Sequence, residues 1–461
     1  MSEFLSQTLA SIRNFLNKDK ETLHGSASWN DYKWNILKQG NNGLTINGRD
    51  RITAENSYRH SVIIAPAGAG KTTTYIIPNV LNLDYSMIIT DPSGEIYRAT
   101  KDTLIKKFFN IKIINPNDLS KTSFYNPLER ANTPTEIQKI SESLINNAYE
   151  GDTSTSKNDF WNDGAISILS LIIQAVKANH DSTKRNLQEV RRFLLLYGQI
   201  EGETKTDKLA NEIMKHLRHD ANAMSELTSF YADDQKVRTN FITTCKTALK
   251  MFIDPNICKL TSSDTINFED IKDQQKRPTA IFLIVPEHDI KHYSFLLNLF
   301  YTQVFNYCAI AGIEEGTAPE DTKSVFFLLD EFGNMGRLPN FTSIITTLRK
   351  RNCSISIILQ DIKQLNATYG TNNAETIFSN CSSKIFFSGL EETLCKRIEA
   401  ILGKATLTQK DKETGKTTLH GRSLMTADEI RRLHRSQIIY IFANERPFLL
   451  PVSYYKKPIK K

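Results

Sequence analysis

The sequence predicts an α/β protein with a mostly parallel central sheet and an inserted all-α domain. Three observations lead there. Short apolar runs, each ending in a turn or an acid, alternate with helical patterns over much of the chain; runs of this kind form strands covered on both faces. Between about 134 and 267 the alternation stops, and apolar residues recur at steps of three and four. A glycine-rich turn stands where one apolar run gives way to a helical one.

Taken in order, residues 1–20 carry Phe4, Leu5, Leu9, Ile12, Phe15 and Leu16 at helical spacing, which predicts a short amphipathic segment within 1–23 that docks on the body of the protein or on a partner. Strands are predicted over 61–65, 87–90, 111–114, 280–285, 325–329, 354–359, 384–387 and 437–442. Helices are predicted over 134–148, 160–178, 187–197, 206–217 and 233–252, with Ile166, Leu169, Ile173 and Val176 marking one apolar face. Residues 151–158 and 403–421 are polar and read as loops. The expected organisation is therefore a first part of the α/β domain over 24–133, the all-α insertion over 134–267, and the second part of the α/β domain over 268–461.

Composition narrows the class. A chain of 461 residues exceeds one ordinary core, so two or three domains are expected. With 40% hydrophobic and 24% charged residues it is a folding chain rather than a disordered one. The net charge of +7 admits a polyanionic partner without requiring one. Six scattered cysteines with no CxxC pair fit structural thiols in a reducing compartment and predict no zinc site. The first twenty residues mix acid and base among apolar side chains, unlike a signal peptide. Residues 293–313 carry no charge and are long enough to span a bilayer, yet Asn298, Gln303 and Asn306 interrupt them and strands flank them; a buried helix is expected. The terminal Lys456, Lys457, Lys460 and Lys461 read as a solvated tail.

The chemistry is concentrated in a few places. Ala65-Pro-Ala-Gly-Ala-Gly-Lys-Thr72 meets the phosphate-loop pattern GxxxxGK[ST] except at its first position, where Ala65 replaces glycine. Gly68 and Gly70 let the backbone turn, so that the N–H groups of Ala67, Gly68, Ala69, Gly70, Lys71, Thr72 and Thr73 can face phosphate oxygens. The following helix aims its N-terminus at the same anion. Lys71 reaches the β- and γ-phosphates of ATP, and the Thr72 hydroxyl can ligate Mg2+. Val325-Phe-Phe-Leu-Leu-Asp330-Glu331 is a buried strand ending in two acids: Asp330 would hold Mg2+ through its water shell and Glu331 would orient or deprotonate the attacking water. The long interval between Lys71 and Asp330 is explained by the helical insertion. Gln360 ends the next apolar run, where a polar side chain can sense the γ-phosphate. Arg349, with Lys350 and Arg351, is either a solvated helix end favoured by the helix dipole or an arginine finger for a neighbouring subunit. His288 with His292, and His216 with His219, lack a third ligand at useful spacing and read as surface residues.

An ordered series of motifs extends this picture. It comprises His24-Gly-Ser-Ala-Ser-Trp29, the glycine loop, Thr90-Asp-Pro-Ser-Gly-Glu95, Tyr125-Asn-Pro-Leu128, Phe160-Trp161, Leu329-Asp-Glu-Phe-Gly333, Ile357-Ile-Leu-Gln-Asp361, Gln364-Leu365 and Tyr369-Gly370. The series resembles the type IV secretion coupling proteins, the TraG/TraD-type conjugation ATPases, over roughly residues 24–455. The resemblance implies a RecA-like motor domain, an inserted all-α domain and assembly into homo-hexameric rings. It implies ATP hydrolysis that drives relaxase-bound DNA, or protein, into the secretion channel. Expected partners are DNA, the relaxase or relaxosome, the channel ATPases and a membrane partner protein, which would hold the chain peripherally at the inner face of the cell membrane. By the same resemblance Lys71 and Thr72 bind nucleotide and Mg2+, Asp330 and Glu331 are the catalytic acids, Arg349 is the finger and Gln360 the sensor.

Two departures stand out. Ser93 occupies a position where the family often has Lys. Only 23 residues precede His24, too few for the family's usual transmembrane hairpin, so the expectation is either a member without an anchor or one whose anchor was removed. The competing functions are a nucleotide-gated recruitment platform that does not pump, against which Glu331 and Arg349 argue, and a chromosome-partitioning or packaging motor, against which the motifs at 24–29 and 91–95 argue. In the helical stretch Lys184, Arg185, Arg191, Arg192, Lys215 and Arg218 are candidate DNA contacts or simply solvated faces.

Overall fold

Buried strands carry the fold. The computed structural model describes residues 23–30, 36–37, 42–148, 158–201, 206–311, 322–410 and 417–456. Its main strands are β1 (Ser61–Ile64), β2 (Ser86–Thr90), β3 (Asn110–Ile114), β4 (Thr279–Leu283), β5 (Val325–Leu329), β6 (Cys353–Leu359), β7 (Ser383–Phe386), β8 (Lys404–Lys410), β9 (Thr417–Ser423), β10 (Gln437–Phe442) and β11 (Phe448–Pro451). The eight predicted strands are all present, and β5 and β10 have the predicted bounds. The expected segment at 1–23 lies, except for Leu23, outside the described residues, as do most of 151–158 and the terminal Lys457, Lys460 and Lys461.

The chain divides into two parts, Met1–Leu83 with Ser354–Lys461, and Asp84–Cys353. In the first part the strand order is β11-β10-β7-β1-β6. β1 runs parallel to both β6 and β7, while β10 is antiparallel to β7 and to β11. Every residue of β1 and β6 is buried, which is why they read as continuous apolar runs. β8 and β9 form a separate antiparallel hairpin, Lys404↔Ser423 through Lys410↔Thr417. This corrects the expected loop over 403–421. Thr406, Thr408 and Thr418 are polar but β-branched, so they suit a two-stranded ribbon with little burial. The His24–Trp29 motif packs against it: Ala27 N–H donates to the Lys404 carbonyl (3.0 Å) and Thr406 N–H to that of Gly25 (3.1 Å).

In the second part β5-β2-β4-β3 are all parallel. The uncharged stretch near 300 is the helix Ser294–Ile310, buried on most of its surface. Phe305 lies 4.8 Å from the Phe327 ring, and the Tyr301 and Thr90 hydroxyls are 2.7 Å apart. Among the described residues no helix is long and apolar enough to cross a membrane. The helical stretch is also found here. Pro134–Ala148 has the predicted bounds; Asn158–Lys177, Leu187–Leu194, Lys208–Leu217, Gln235–Ala248 and Pro255–Leu260 accompany it. The predicted helix over 233–252 stops at Ala248 and continues as a 3-10 turn, Lys250–Ile253. One further helix, Ala221–Ala232, has no strong apolar stripe, only Ala223, Leu227 and Phe230 being buried. Its Asp220 cap, accepting from Ala223 N–H, was its sequence signal. Asn186, Asp207, Asp234 and Asp254 cap their helices in the same way, each contributing about 1 kcal/mol.

Candidate functional site

β1 ends at Ile64, and the glycine loop begins at the next residue between two neighbouring strand ends. Ala65 N–H donates to the Leu359 carbonyl (3.0 Å) on the β6 side, and Phe387 N–H to that of Ile64 (3.0 Å) on the β7 side. The loop then doubles back, with Ala69 N–H donating to the Pro66 carbonyl (3.1 Å). Gly68 and Gly70 have φ of +73° and +90°, a region that side chains other than glycine rarely adopt. Ala67 and Gly68 are exposed, and Ala69 through Thr73 are half-buried. The helix after the loop opens with a π turn, Thr72–Ile76, before the α-helix Ile77–Asn82. Wide turns of this kind are frequent at functional sites. Thr73 Oγ1 donates to the Gly70 carbonyl (3.2 Å).

The register Ile64↔Leu359 puts Gln360 beside Ala65, so the expected sensor stands next to the first residue of the loop. Its backbone is fixed: Gln360 N–H donates to Gln364 Oε1 (3.0 Å), and Asp361 forms a capping box with Gln364 on Ile362–Tyr369. The motif Gln360-Asp361…Gln364 is thereby explained as a strand end locked to a helix start.

A segment that sequence reasoning left aside also reaches the loop. After β11, Tyr455 N–H donates to the Thr73 carbonyl (2.8 Å), and a methyl group on Gly70 would stand 2.8 Å from Cε1 of Tyr454. The consecutive tyrosines before the lysine-rich end are the only signal the sequence carried.

The acidic residues belong to the second part. Asp330 and Glu331 follow β5 and are 5% and 4% exposed. Glu331 holds a left-handed conformation (φ 56°, ψ 37°), strain of about 1–3 kcal/mol that tends to gather at functional sites. Two contacts support it. Its N–H donates to Asp330 Oδ1 (3.1 Å), and Asn334 Nδ2 donates to its Oε2 (3.3 Å). Phe332, buried against Phe341 with ring centroids 5.0 Å apart, anchors the turn.

Asp91 is buried at the end of β2 and receives Tyr97 N–H at Oδ2 (2.8 Å) and Ile96 N–H at Oδ1 (3.3 Å). Burial pushes its carboxyl up to about 6; those amides and Arg98 pull it back, and the Asp330 charge adds to the rise. Ser93 is exposed, its Oγ accepting from Glu95 N–H (3.2 Å). Arg349 is the exposed last residue of the helix Phe341–Arg349. The oxygen donors Thr72 and Asp330 are of the hard kind that Mg2+ takes. Among the described residues no group of three or more His, Cys, Asp or Glu could hold a metal ion.

The family described as Type IV secretory system Conjugative DNA transfer matches residues 9–461. The chain belongs to that family. VirD4 of Rhizobium radiobacter is 23% identical over 403 residues, 85% of this chain and 55% of that protein. A conjugal transfer protein TraG of Escherichia coli is 22% identical over 470 residues, 90% of this chain and 70% of that protein. The chain spans only 55% to 65% of the length of the VirD4 proteins it matches. Among solved structures, the bacterial conjugative coupling protein TrwB aligns with a TM-score of 0.68 at 15% identity, covering 90% of this chain and 89% of that one. Another TrwB structure, in complex with ADP and Mg2+, aligns at 0.66 with 14% identity and covers 91% and 90%. At these identities the likeness shows the fold, which is the RecA-like α/β fold of the coupling proteins.

Proposed function

We propose that the protein is an ATPase that couples DNA, with its relaxase, or protein substrates to a type IV secretion channel in conjugation. The observation that supports this most is the 65–72 loop, with two left-handed glycines and a flanking glutamine, in a chain whose family match runs over nearly its whole length. In this reading the amides of Ala67 to Thr73 and the Lys71 ammonium bind the phosphates. Thr72 and Asp330 hold Mg2+, which supplies charge neutralisation on the phosphoryl oxygens when bound. Glu331 orients the attacking water and accepts its proton, Gln360 senses the γ-phosphate, and Arg349 serves the nucleotide of a neighbouring subunit in a hexameric ring. Channel ATPases and a membrane protein are the proposed partners that hold it at the inner face of the cell membrane.

ATP hydrolysis measured with and without single- and double-stranded DNA, alongside native mass, tests the reading. Turnover that rises with DNA and with assembly is expected. ATP binding with no turnover under any of these conditions would instead favour a recruitment platform.

A further inference from the structure

The chain after β11 lies as a pinned strap beside the phosphate loop. Asn47 Nδ2 donates to the Pro451 carbonyl (2.8 Å), and Val452 N–H to that of Ser436 (2.7 Å). Ser453 N–H donates to the Asn47 carbonyl (2.8 Å), and Tyr455 N–H to that of Thr73 (2.8 Å). The Tyr454 hydroxyl donates to the Arg435 carbonyl (2.9 Å). Five consecutive residues are therefore each tied down, and Tyr454 has little freedom to leave.

What this holds in place is an aromatic ring in an unusual position. One edge of Tyr454 meets Gly70, its hydroxyl is occupied, and the residue is still 44% exposed. The ties around it show that the exposure is built and not a frayed end. A nucleotide whose phosphates occupy the 65–72 loop carries its ribose and base to a flank of that loop, and the strap, tied to Thr73 and meeting Gly70, forms one such flank.

We propose that Tyr454 is the base-stacking residue of the nucleotide site, covering the purine of ATP with its ring. This rests on the nucleotide reading given above and extends it from the phosphates to the base. Stacking responds to the area of the π-face and not to a hydrogen-bond pattern. The site therefore takes ATP and GTP about equally and CTP more weakly.

The test measures binding of ATP, CTP and inorganic tripolyphosphate to the full chain, by calorimetry. Tyr454→Ala should weaken ATP about tenfold, within the range of one base–aromatic stack, narrow the gap between ATP and CTP, and leave tripolyphosphate unchanged. Tyr454→Phe keeps the ring and should restore the preference for ATP. Unchanged ATP affinity in Tyr454→Ala, or an equal loss for ATP and tripolyphosphate, would overturn the assignment, the second result meaning that the ring only shapes the loop. Lys71→Ala reports separately on the underlying site: it should lose both ligands. If it binds both as well as the unaltered protein, the nucleotide reading itself fails and the stacking role with it.

Discussion

Asp91 and Asp330 each stand one residue past a matched pair, Thr90 and Leu329, on neighbouring parallel strands, so two buried carboxyls share one edge of the strand array. The charge on Asp330 makes ionisation of Asp91 harder, adding to the larger cost of burial. Asp91 also accepts two amides from the Glu95–Lys106 helix, and this ties the helix start to the end of β2.

A pH dependence follows. The Asp91 carboxyl is raised from 3.8 to about 6 in the folded protein. Between those values the folded state keeps a proton that the unfolded chain has released. Its contribution to stability is therefore greatest below about pH 4 and falls as pH rises through about 6, by on the order of 3 kcal/mol in all. Urea unfolding of the protein and of Asp91→Asn, without Mg2+, at pH 4.5 and 7.5 checks this. The unaltered protein should lose stability relative to the variant as pH rises. A difference that does not change with pH would contradict the sign.

Phosphate contact and water activation should separate by mutation. Lys71→Ala is expected to abolish nucleotide binding, because the ammonium neutralises phosphate charge in the bound state. Glu331→Gln should bind ATP normally and stop turnover. Hydrolysis by Glu331→Gln at the unaltered rate would remove Glu331 from its assigned role.

Arg349 is exposed at a helix end, a position from which it can serve another subunit. If it does, specific ATPase activity should climb with protein concentration until rings form, and Arg349→Ala should stay low at every concentration while still binding ATP. Full activity from a strictly monomeric sample would rule the finger out.

Among the described cations of the helical stretch, three face carboxylates already. Lys184 lies 3.7 Å from Asp181, Arg192 2.7 Å from Glu189 and Lys215 3.8 Å from Glu212. If the stretch contacts DNA, Arg191→Gln and Arg218→Gln should each lower the salt slope of binding by about one, and Lys184→Gln should lower it less. The full chain is the proper material, since Asn298 Nδ2 donates to Asn147 Oδ1 and Tyr125 N–H to the Leu260 carbonyl, tying the stretch to the strands' part. Equal slopes for all variants would leave these cations as solvated faces.

Packing in the same stretch makes a stability prediction. A methyl group on Gly164 would stand 2.2 Å from Cζ of Phe241. Gly164→Ala should destabilise by about 1–3 kcal/mol through overpacking, and Phe241→Leu added to it should recover part of the loss. Unfolding of both variants by urea gives the comparison.

The sequence by itself determined what is local. The 65–72 loop, the buried strand ahead of Asp330 and Glu331, and most helices were legible because phosphate loops need glycine at set positions, because a strand covered on both faces is a continuous apolar run, and because a half-buried helix repeats its apolar residues every three to four. Only the tertiary structure decided which strand ends are neighbours. It put Gln360 beside Ala65, Asp91 beside Asp330, and the strap with Tyr454 against Gly70, pairings between residues far apart in the chain that carry no period to read. It also decided that the polar residues around 403–421 pair as a hairpin and that Glu331 takes a left-handed turn, since a threonine-rich ribbon and a strained backbone are stabilised by cross-strand and side-chain partners rather than by local composition.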